Sequence, residues 1–480
     1  MQPHALLVPF PETGHINPLM QLARHLASHG ILITFVNTRY NHERILQSNA
    51  GRLPADLGLP IRLVAIPDTL SDDINRDNDI FNMNQIVKNV GPALENLIDE
   101  LAAAGDRITC IISDALALQT LEICKKVGVP RVAFWPPSIS IYALCCHSAY
   151  AAYNGSLPRN GIPRTDEMVT FPELPSLPGW ALPWTIGDEV INEHAFKLIS
   201  ESMTACSESD WILGNFIREL EASALSEIPP HFKHPTMVGP ILPVNVLQRT
   251  STSENMLTMS LWVEEDTCLH WLNAQKPKSV LYVSLGSVAT VKKDQLQELA
   301  LGLEAAGLAT LWVVREDLTG EKGTSLPEGF LQRTQERIRI VSWSPQLLVL
   351  SHGAVGGFLT HCGWNSIIEA LSMGVPLLAW PQLGDQYMNA EVSVTKWGAG
   401  LKLNDFEKKL VRREHVAIQV KKLMLEHAGE VARSRAEEIR DQILKAVGEG
   451  GSSYNNLQGF VRWVKHQAGP TINIGSLLSA

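Results

Sequence analysis

Nine side chains that can bind or react fall within the 44 residues from Trp343 to Gln386: Trp343, Gln346, His361, Trp364, Asn365, Ser366, Glu369, Asp385 and Gln386. The apolar run Ala354 to Leu359 reads as a buried strand, and the turn His361-Cys362-Gly363-Trp364 breaks it. Apolar spacing from Asn365 to Met373 then predicts a helix closed by Gly374 and Pro376, with Asn365 as its N-cap. The first amides of a helix have no internal partners and lie at the positive end of its dipole, so such a turn presents donors to a phosphate. His361 and Ser366 add two more. Glu369 projects from the same helix face about one turn deeper, roughly 5–6 Å on, where a carboxylate accepts both hydroxyls of a ribose. Trp343 offers a flat face for a base. Asp385 and Gln386, after the strand Val375 to Trp380, supply acceptors and donors for a polyhydroxylated group. In chain order the segment reads base, phosphate, ribose, sugar.

Each residue alone has a plainer reading. Trp343 and Trp364 would be core packing, and Glu369 a solvated helix residue. His361 beside Cys362 suggests a metal ligand, but no second His or Cys pair stands nearby at zinc spacing. The joint spacing of all nine favours a ligand site.

Trp343-Ser344-Pro345-Gln346, then His361-Cys362-Gly363-Trp364-Asn365-Ser366, then Glu369 and Asp385-Gln386 resemble the signature of plant-type UDP-glycosyltransferases. The resemblance implies that Trp343 stacks on uracil, Gln346 and Glu369 hold the ribose, and His361, Asn365 and Ser366 hold the diphosphate. Trp364, Asp385 and Gln386 would face the sugar, and Gln at position 386 usually accompanies UDP-glucose. Ser287, after Ser284-Leu285-Gly286, resembles a second phosphate contact. UDP-glucose is then the expected co-substrate, with another UDP-sugar as the alternative, and no separate cofactor and no metal.

Moving a sugar to an alcohol needs a base, and an imidazole with a pKa near the working pH suits a hydroxyl proton. His15 in Gly14-His15-Ile16-Asn17-Pro18 matches the family's catalytic histidine, and Gly14 beside it permits close approach of a ligand. Asp114, ending the strand Ile108 to Ser113, matches the acid that would fix the imidazole's tautomer and offset its charge. Asp114 also has a plainer role as N-cap of the helix Ala115 to Lys126. The implied reaction is a single displacement that inverts the anomeric carbon, giving a β-glucoside of a small apolar acceptor bearing a hydroxyl or carboxyl. One departure stands out: Pro136 occupies a place where many relatives carry a sugar-contacting Thr, and Ser138 is the candidate substitute.

The elements that must position these residues alternate strand and helix. Ala5–Phe10, Pro18–His29, Ile31–Asn37, Ile61–Ile66, Gln85–Ala104, Ile108–Ser113 and Arg131–Phe134 form one series. A second starts at Val280–Leu285 and runs through helix Lys293–Ala306, strands Thr310–Arg315 and Arg337–Val341, and the signature block. Such alternation implies α/β architecture with two doubly wound, Rossmann-like parallel sheets, the two-domain GT-B arrangement with a cleft between strand C-termini. Loss of periodicity through Gln248 to Asn255 marks a linker. We expect an acceptor domain at 1–245, a linker at 246–258 and a UDP-sugar domain at 259–456. The last helical pattern, Tyr454 to His466, overlaps a segment (about 457–472) that the resemblance implies packs back on the first domain.

A formal charge of −10 without a basic stripe argues against nucleic acid as a partner. Hydrophobic content of 45% with 19% charged residues excludes a disordered chain. No run of 18 apolar residues and no basic leader is present, so neither membrane anchor nor secretion is expected. A cytoplasmic monomer with seven reduced core cysteines is the expectation, and the sequon Asn154-Gly155-Ser156 would be idle there. The Gly-x-Gly-x-x-Gly fingerprint, the Walker loop and the Gly-x-Ser-x-Gly elbow are missing, which weakens oxidoreductase, ATPase and hydrolase readings. A non-catalytic nucleotide-sugar sensor would keep 343–386 but have no need of His15 and Asp114.

Overall fold

The structure, a computed structural model, describes residues 2–49, 58–68, 85–86, 88–154, 157–158, 160–164, 167–171, 173–247, 260–319, 326–405 and 409–469. In the first half the strands are β1 (His4–Val8), β2 (Leu32–Thr38), β3 (Ile61–Ile66), β4 (Cys110–Asp114), β5 (Arg131–Trp135), the short antiparallel pair β6 (Met168–Val169) and β7 (Leu177–Pro178), then β8 (Trp211–Gly214) and β9 (Thr236–Met237). Seven of them form a parallel sheet in the order β3-β2-β1-β4-β5-β8-β9. The second half contributes β10 (Val280–Ser284), β11 (Thr310–Val313), β12 (Ile338–Val341), β13 (Val355–Thr360), β14 (Leu377–Ala379) and β15 (Gly400–Lys402). These make a parallel sheet in the order β12-β11-β10-β13-β14-β15.

Both sheets are covered by helices on both faces, which is why their central strands are continuous apolar runs rather than alternating ones. Every residue of β1, β4, β5, β10 and β13 is buried. In the first sheet the chain winds outward from β1 to β3 and then returns to β4, so β1 and β4 flank the point where the winding reverses. β10 and β13 flank the equivalent point in the second sheet. Loops that leave the carboxyl ends of two such strands diverge, and the crevice between them is where α/β sheets bind ligands. His15 follows β1 and Asp114 ends β4; Ser287 follows β10 and His361 follows β13.

The helix Ser452–Gln467 buries Phe460, Val461 and Val464 in the apolar cluster that also contains Ala5, Leu7, Ile16 and Leu19 of the first half. Its Asn456 amide donates to the Met237 carbonyl at 2.8 Å, and Trp463 meets Trp211 at 5.3 Å between ring centres. Of the segment proposed as the linker, Val246 and Leu247 end the short helix Val244–Leu247, and 248–258 lie outside the described residues. Residues 69–84 lie outside them too. All seven cysteines are buried and unpaired. Among the described residues no helix is long and apolar enough to cross a membrane.

Three boundaries differ from the sequence reading, with consequences for the site. The first helix begins at Thr13, not at Pro18, because the Glu12 side chain caps it by accepting from the Gly14 amide at 2.8 Å. His15 therefore sits in the first turn of a helix. The helix after β13 begins at Trp364 with Gly363 in the capping position, so Asn365 is not the N-cap but the second helical residue. The cause is the turn before it: Cys362 adopts φ +66° and its amide bonds to the Thr360 hydroxyl, so the chain enters the helix two residues early. Asp114 does not cap a helix either. Its Oδ1 accepts from the Leu116 amide in a local turn, and the helix that follows is Gln119–Val127.

Candidate active site

A cavity of about 1190 Å³ opens between the carboxyl ends of the two sheets. Single-ligand pockets run to about 1,000 Å³, so this one has room for two substrates side by side. His15, Asp114, Ser287, Trp343, Gln346, His361, Trp364, Asn365, Ser366, Glu369, Asp385 and Gln386 all line it. Twelve positions spread over 372 residues of chain thus meet at one cavity.

On the first-domain side, His15 Nδ1 lies 2.7 Å from Asp114 Oδ2. The Asp114 side chain is fully buried, whereas the imidazole keeps 20% exposure toward the cavity. Burial alone would push the His15 pKa down, but the Asp114 carboxylate, with smaller help from Glu12 and Asp385, raises it to about 9. A carboxylate on Nδ1 fixes that nitrogen as the donor and leaves Nε2 to take a proton. Around the pair the wall is apolar: Phe10, Leu116, Pro136, Ile141, Cys145, Ile186, Ile191 and Ile199.

The proline of Gly-His-x-x-Pro has a structural reason. Pro18 lies inside the first helix and has no N–H, so the Gly14 carbonyl, four residues back, gets no helical partner from it. The Asn365 side-chain amide donates to that carbonyl from the other domain, at 2.8 Å. The spacing thus leaves an open acceptor on the His15 turn and the second domain fills it.

On the second-domain side, the first helical hydrogen bond runs from the Ile367 amide to the Gly363 carbonyl, so the amides of Trp364, Asn365 and Ser366 have no partner within the helix. His361 stands beside them. Burial, with the nearby Arg315 guanidinium, pushes its pKa down to about 4, and its Nδ1 has no hydrogen-bond partner among the described residues. It is a neutral donor. Gly286, at φ +73°, passes so close to this ring that a Cβ would lie 2.6 Å from it, which only glycine allows.

Gln346 Nε2 donates to Glu369 Oε2 at 2.8 Å and to the Ser366 hydroxyl at 3.0 Å, and its Oε1 accepts from the Tyr282 hydroxyl at 3.2 Å. Burial raises the Glu369 pKa to about 7, with Gln346 opposing. Trp343 stacks against Trp262 with ring centres 5.2 Å apart, and the Arg44 guanidinium covers Trp262 at 4.5 Å. Asp385 Oδ2 accepts from the Asn389 amide at 2.8 Å, and burial raises its pKa to about 6. Gln386 Oε1 accepts from the Gln382 and Leu383 amides at 2.9 and 3.2 Å, which leaves its Nε2 as the free donor.

Some sequence expectations change. Ser138, the candidate to replace the missing threonine, is buried and donates to Asn389 Oδ1 at 2.9 Å, so its hydroxyl is spent beneath Asp385 and does not face the cavity. The Trp364 ring reaches the cavity, but its indole N–H donates to the Asn215 carbonyl across the domain boundary at 2.7 Å. Glu12, Asn215, Trp262, Tyr282 and Asn389 are participants that the sequence reading missed. Glu12 alone had a local signal, as an acidic residue just before the helix carrying His15.

A family model described as UDP-glucoronosyl and UDP-glucosyl transferase matches residues 264–426. Linamarin synthase 1 of Manihot esculenta is 35% identical over 96% of this chain and 97% of its own length. The (R)-mandelonitrile beta-glucosyltransferase of Prunus dulcis is 34% identical over 96% of each. Among solved structures, Os79 from O. sativa in complex with UDP aligns at a TM-score of 0.79 with 27% identity, covering 96% of this chain and all of that one. Phytolacca americana UGT2 complexed with UDP-2fluoro-glucose and pterostilbene aligns at 0.77 with 26% identity, covering 96% and 99%. With this identity along almost the whole chain, and two parallel sheets facing one cleft, the chain belongs to the UDP-glucoronosyl and UDP-glucosyl transferase family, as a plant-type UDP-glycosyltransferase of GT-B fold.

Proposed function

We propose that the protein transfers glucose from UDP-glucose to the hydroxyl or carboxyl of a small apolar acceptor, with inversion at the anomeric carbon. The observation that carries the reading is the 2.7 Å His15–Asp114 pair at the wall of a cavity that also holds a helix start whose first three amides have no partner within the helix. The acceptor oxygen loses its proton to His15 Nε2 as it attacks, and Asp114 offsets the charge that forms on the imidazole.

UDP leaves with charge gathering on its β-phosphate. The amides of Trp364 to Ser366 and the His361 ring are the donors that would stabilise it, fixed before the reaction; the Ser287 hydroxyl, which donates to Glu12 Oε1, would turn to join them. Trp343 would hold the uracil, backed by Trp262. Gln346 and Glu369 would hold the ribose, and Asp385 with Gln386 the hexose. Two relatives support glucose and the β-product: one is named a beta-glucosyltransferase and another was solved with a fluorinated UDP-glucose. The apolar wall beside His15 supports an apolar acceptor.

Incubating the protein with UDP-glucose and a panel of hydroxylated and carboxylated plant metabolites, with product masses read, tests the proposal. A gain of one hexosyl unit on some acceptor is expected, and His15→Ala should abolish it while UDP still binds. Full turnover of an alcohol by His15→Ala would remove His15 from the scheme.

A further inference from the structure

Glu12 lends the His15 base a small share of its raised pKa and has no other part in the reaction just described, yet it stands at its centre. Its Oε2 accepts from the Gly14 amide at 2.8 Å, which ties the carboxylate to the start of the His15 helix. Its Oε1 accepts from the Ser287 hydroxyl of the other domain at 3.3 Å. Glu12 therefore presents a carboxylate to one of the hydroxyls assigned to the diphosphate, and it lines the same cavity. The donors on that rim are neutral: backbone amides, the Ser287 hydroxyl and the His361 ring. Among the described residues lining the cavity there is no Lys or Arg. Arg315 lies behind the rim, buried, with its guanidinium on the Gly286 and Ala289 carbonyls and on Asp317.

We propose that Glu12 is a positioning residue that selects between nucleotide species: a fixed carboxylate beside the β-phosphate position that disfavours UDP more than UDP-glucose and so speeds release of the product. The inference rests on the reading that a UDP-sugar binds here. In UDP-glucose the β-phosphate is a diester with one negative charge. On transfer the bond between the anomeric carbon and the β-phosphate oxygen breaks and the oxygen keeps the electron pair. The acceptor oxygen forms the new bond to that carbon, and its proton passes to His15 and then to solvent. UDP, with a terminal β-phosphate, carries up to one more negative charge than the donor did. Glu12 cannot withdraw from that charge without giving up the helix cap.

The test is calorimetric titration of wild type and Glu12→Gln with UDP, UDP-glucose and UMP at pH 8. Glutamine keeps a carbonyl oxygen for the Gly14 amide and turns its Nε2 to the Ser287 oxygen, which can accept, while removing the charge; Glu12→Ser, which keeps a capping oxygen, is the second neutral variant. UDP should bind roughly thirtyfold tighter to either variant, its two β-phosphate charges each counting for about fivefold across roughly 4 Å in a water-like medium. UDP-glucose should change about half as much on a logarithmic scale, UMP should not change, and UDP should become the stronger product inhibitor. Equal changes for UDP and UDP-glucose, or none for UDP, would overturn the proposal with the site reading intact. A wild type that binds no UDP at all would overturn both.

Discussion

Replacing Asp114 by Asn removes a buried charge at nearly constant shape. In the wild type the imidazole of His15 is raised to about 9 against the pull of burial, and the Asp114 carboxylate at 2.7 Å is the main cause of the rise. The displacement from 6.5 is worth about 3 kcal/mol of preference for the protonated ring. Without the carboxylate only desolvation remains in strength, so the ring should titrate below its ordinary value. Transfer to an alcohol should then fall by about 10²-fold, the free energy no longer available to the imidazolium as it forms, while UDP affinity stays within about twofold. The assay is kcat/KM against pH with UDP-glucose and a single alcohol. Wild-type activity should rise with pH toward about 9 as His15 loses its resting proton. The variant should be slow throughout, with that limb displaced to lower pH. Stability gives a second reading. A folded pKa raised above the unfolded 6.5 stabilises the protein below pH 6.5, and that contribution is lost as pH rises through about 9. The variant should lack that slope. Undiminished turnover, or a limb still near 9, would refute the reasoning.

Glu369→Ala leaves the Gln346 amide with Ser366 as its remaining side-chain acceptor and removes the proposed ribose contact, so UDP binding should weaken by about 1–3 kcal/mol; calorimetry with unchanged UDP affinity would contradict it. Asn365→Ala uncovers the Gly14 carbonyl that Pro18 leaves without a helical donor, so kcat should fall along with donor affinity, and a loss confined to the KM for UDP-glucose would remove the link to the His15 turn. Glu221 is 2% exposed, bonded to Ser140, and its Oε2 has no partner among the described residues. Burial raises its pKa to about 7, so the native state holds more protons than the unfolded one between 4.5 and 7, and stability falls as pH rises through that window. Glu221→Gln should flatten this part of the profile and gain about 1–3 kcal/mol at pH 8, read from urea unfolding at pH 5 and 8; a slope unchanged from wild type would show that the carboxyl is not the cause.

The central strands were legible because they are short, mainly apolar runs, which a parallel sheet covered on both faces demands; β8, β9 and β15, of two to four residues, are too short to show one. The contacts that hold the site together were not. Asn365 reaches Gly14 across 351 residues, Ser287 reaches Glu12 across 275 and Trp364 reaches Asn215 across 149, and no local period encodes them. Local competition explains the rest. Glu12 starts a helix where Pro18 suggested one would begin, the left-handed Cys362 hands the capping position to Gly363, and Ser138 is drawn under Asn389 instead of facing the cavity. Trp262 could not be connected to Trp343 from sequence, because it follows a segment without periodicity and its stacking is set by the fold.

The most direct test is a crystal structure with a non-transferable UDP-glucose analogue. The base should lie on Trp343, the ribose against Glu369 and Gln346, and the diphosphate at the amides of Trp364 to Ser366. The anomeric carbon should face His15 Nε2 across a gap that one acceptor oxygen fills. A nucleotide seated away from the second sheet, or a hexose directed away from that nitrogen, would contradict the account.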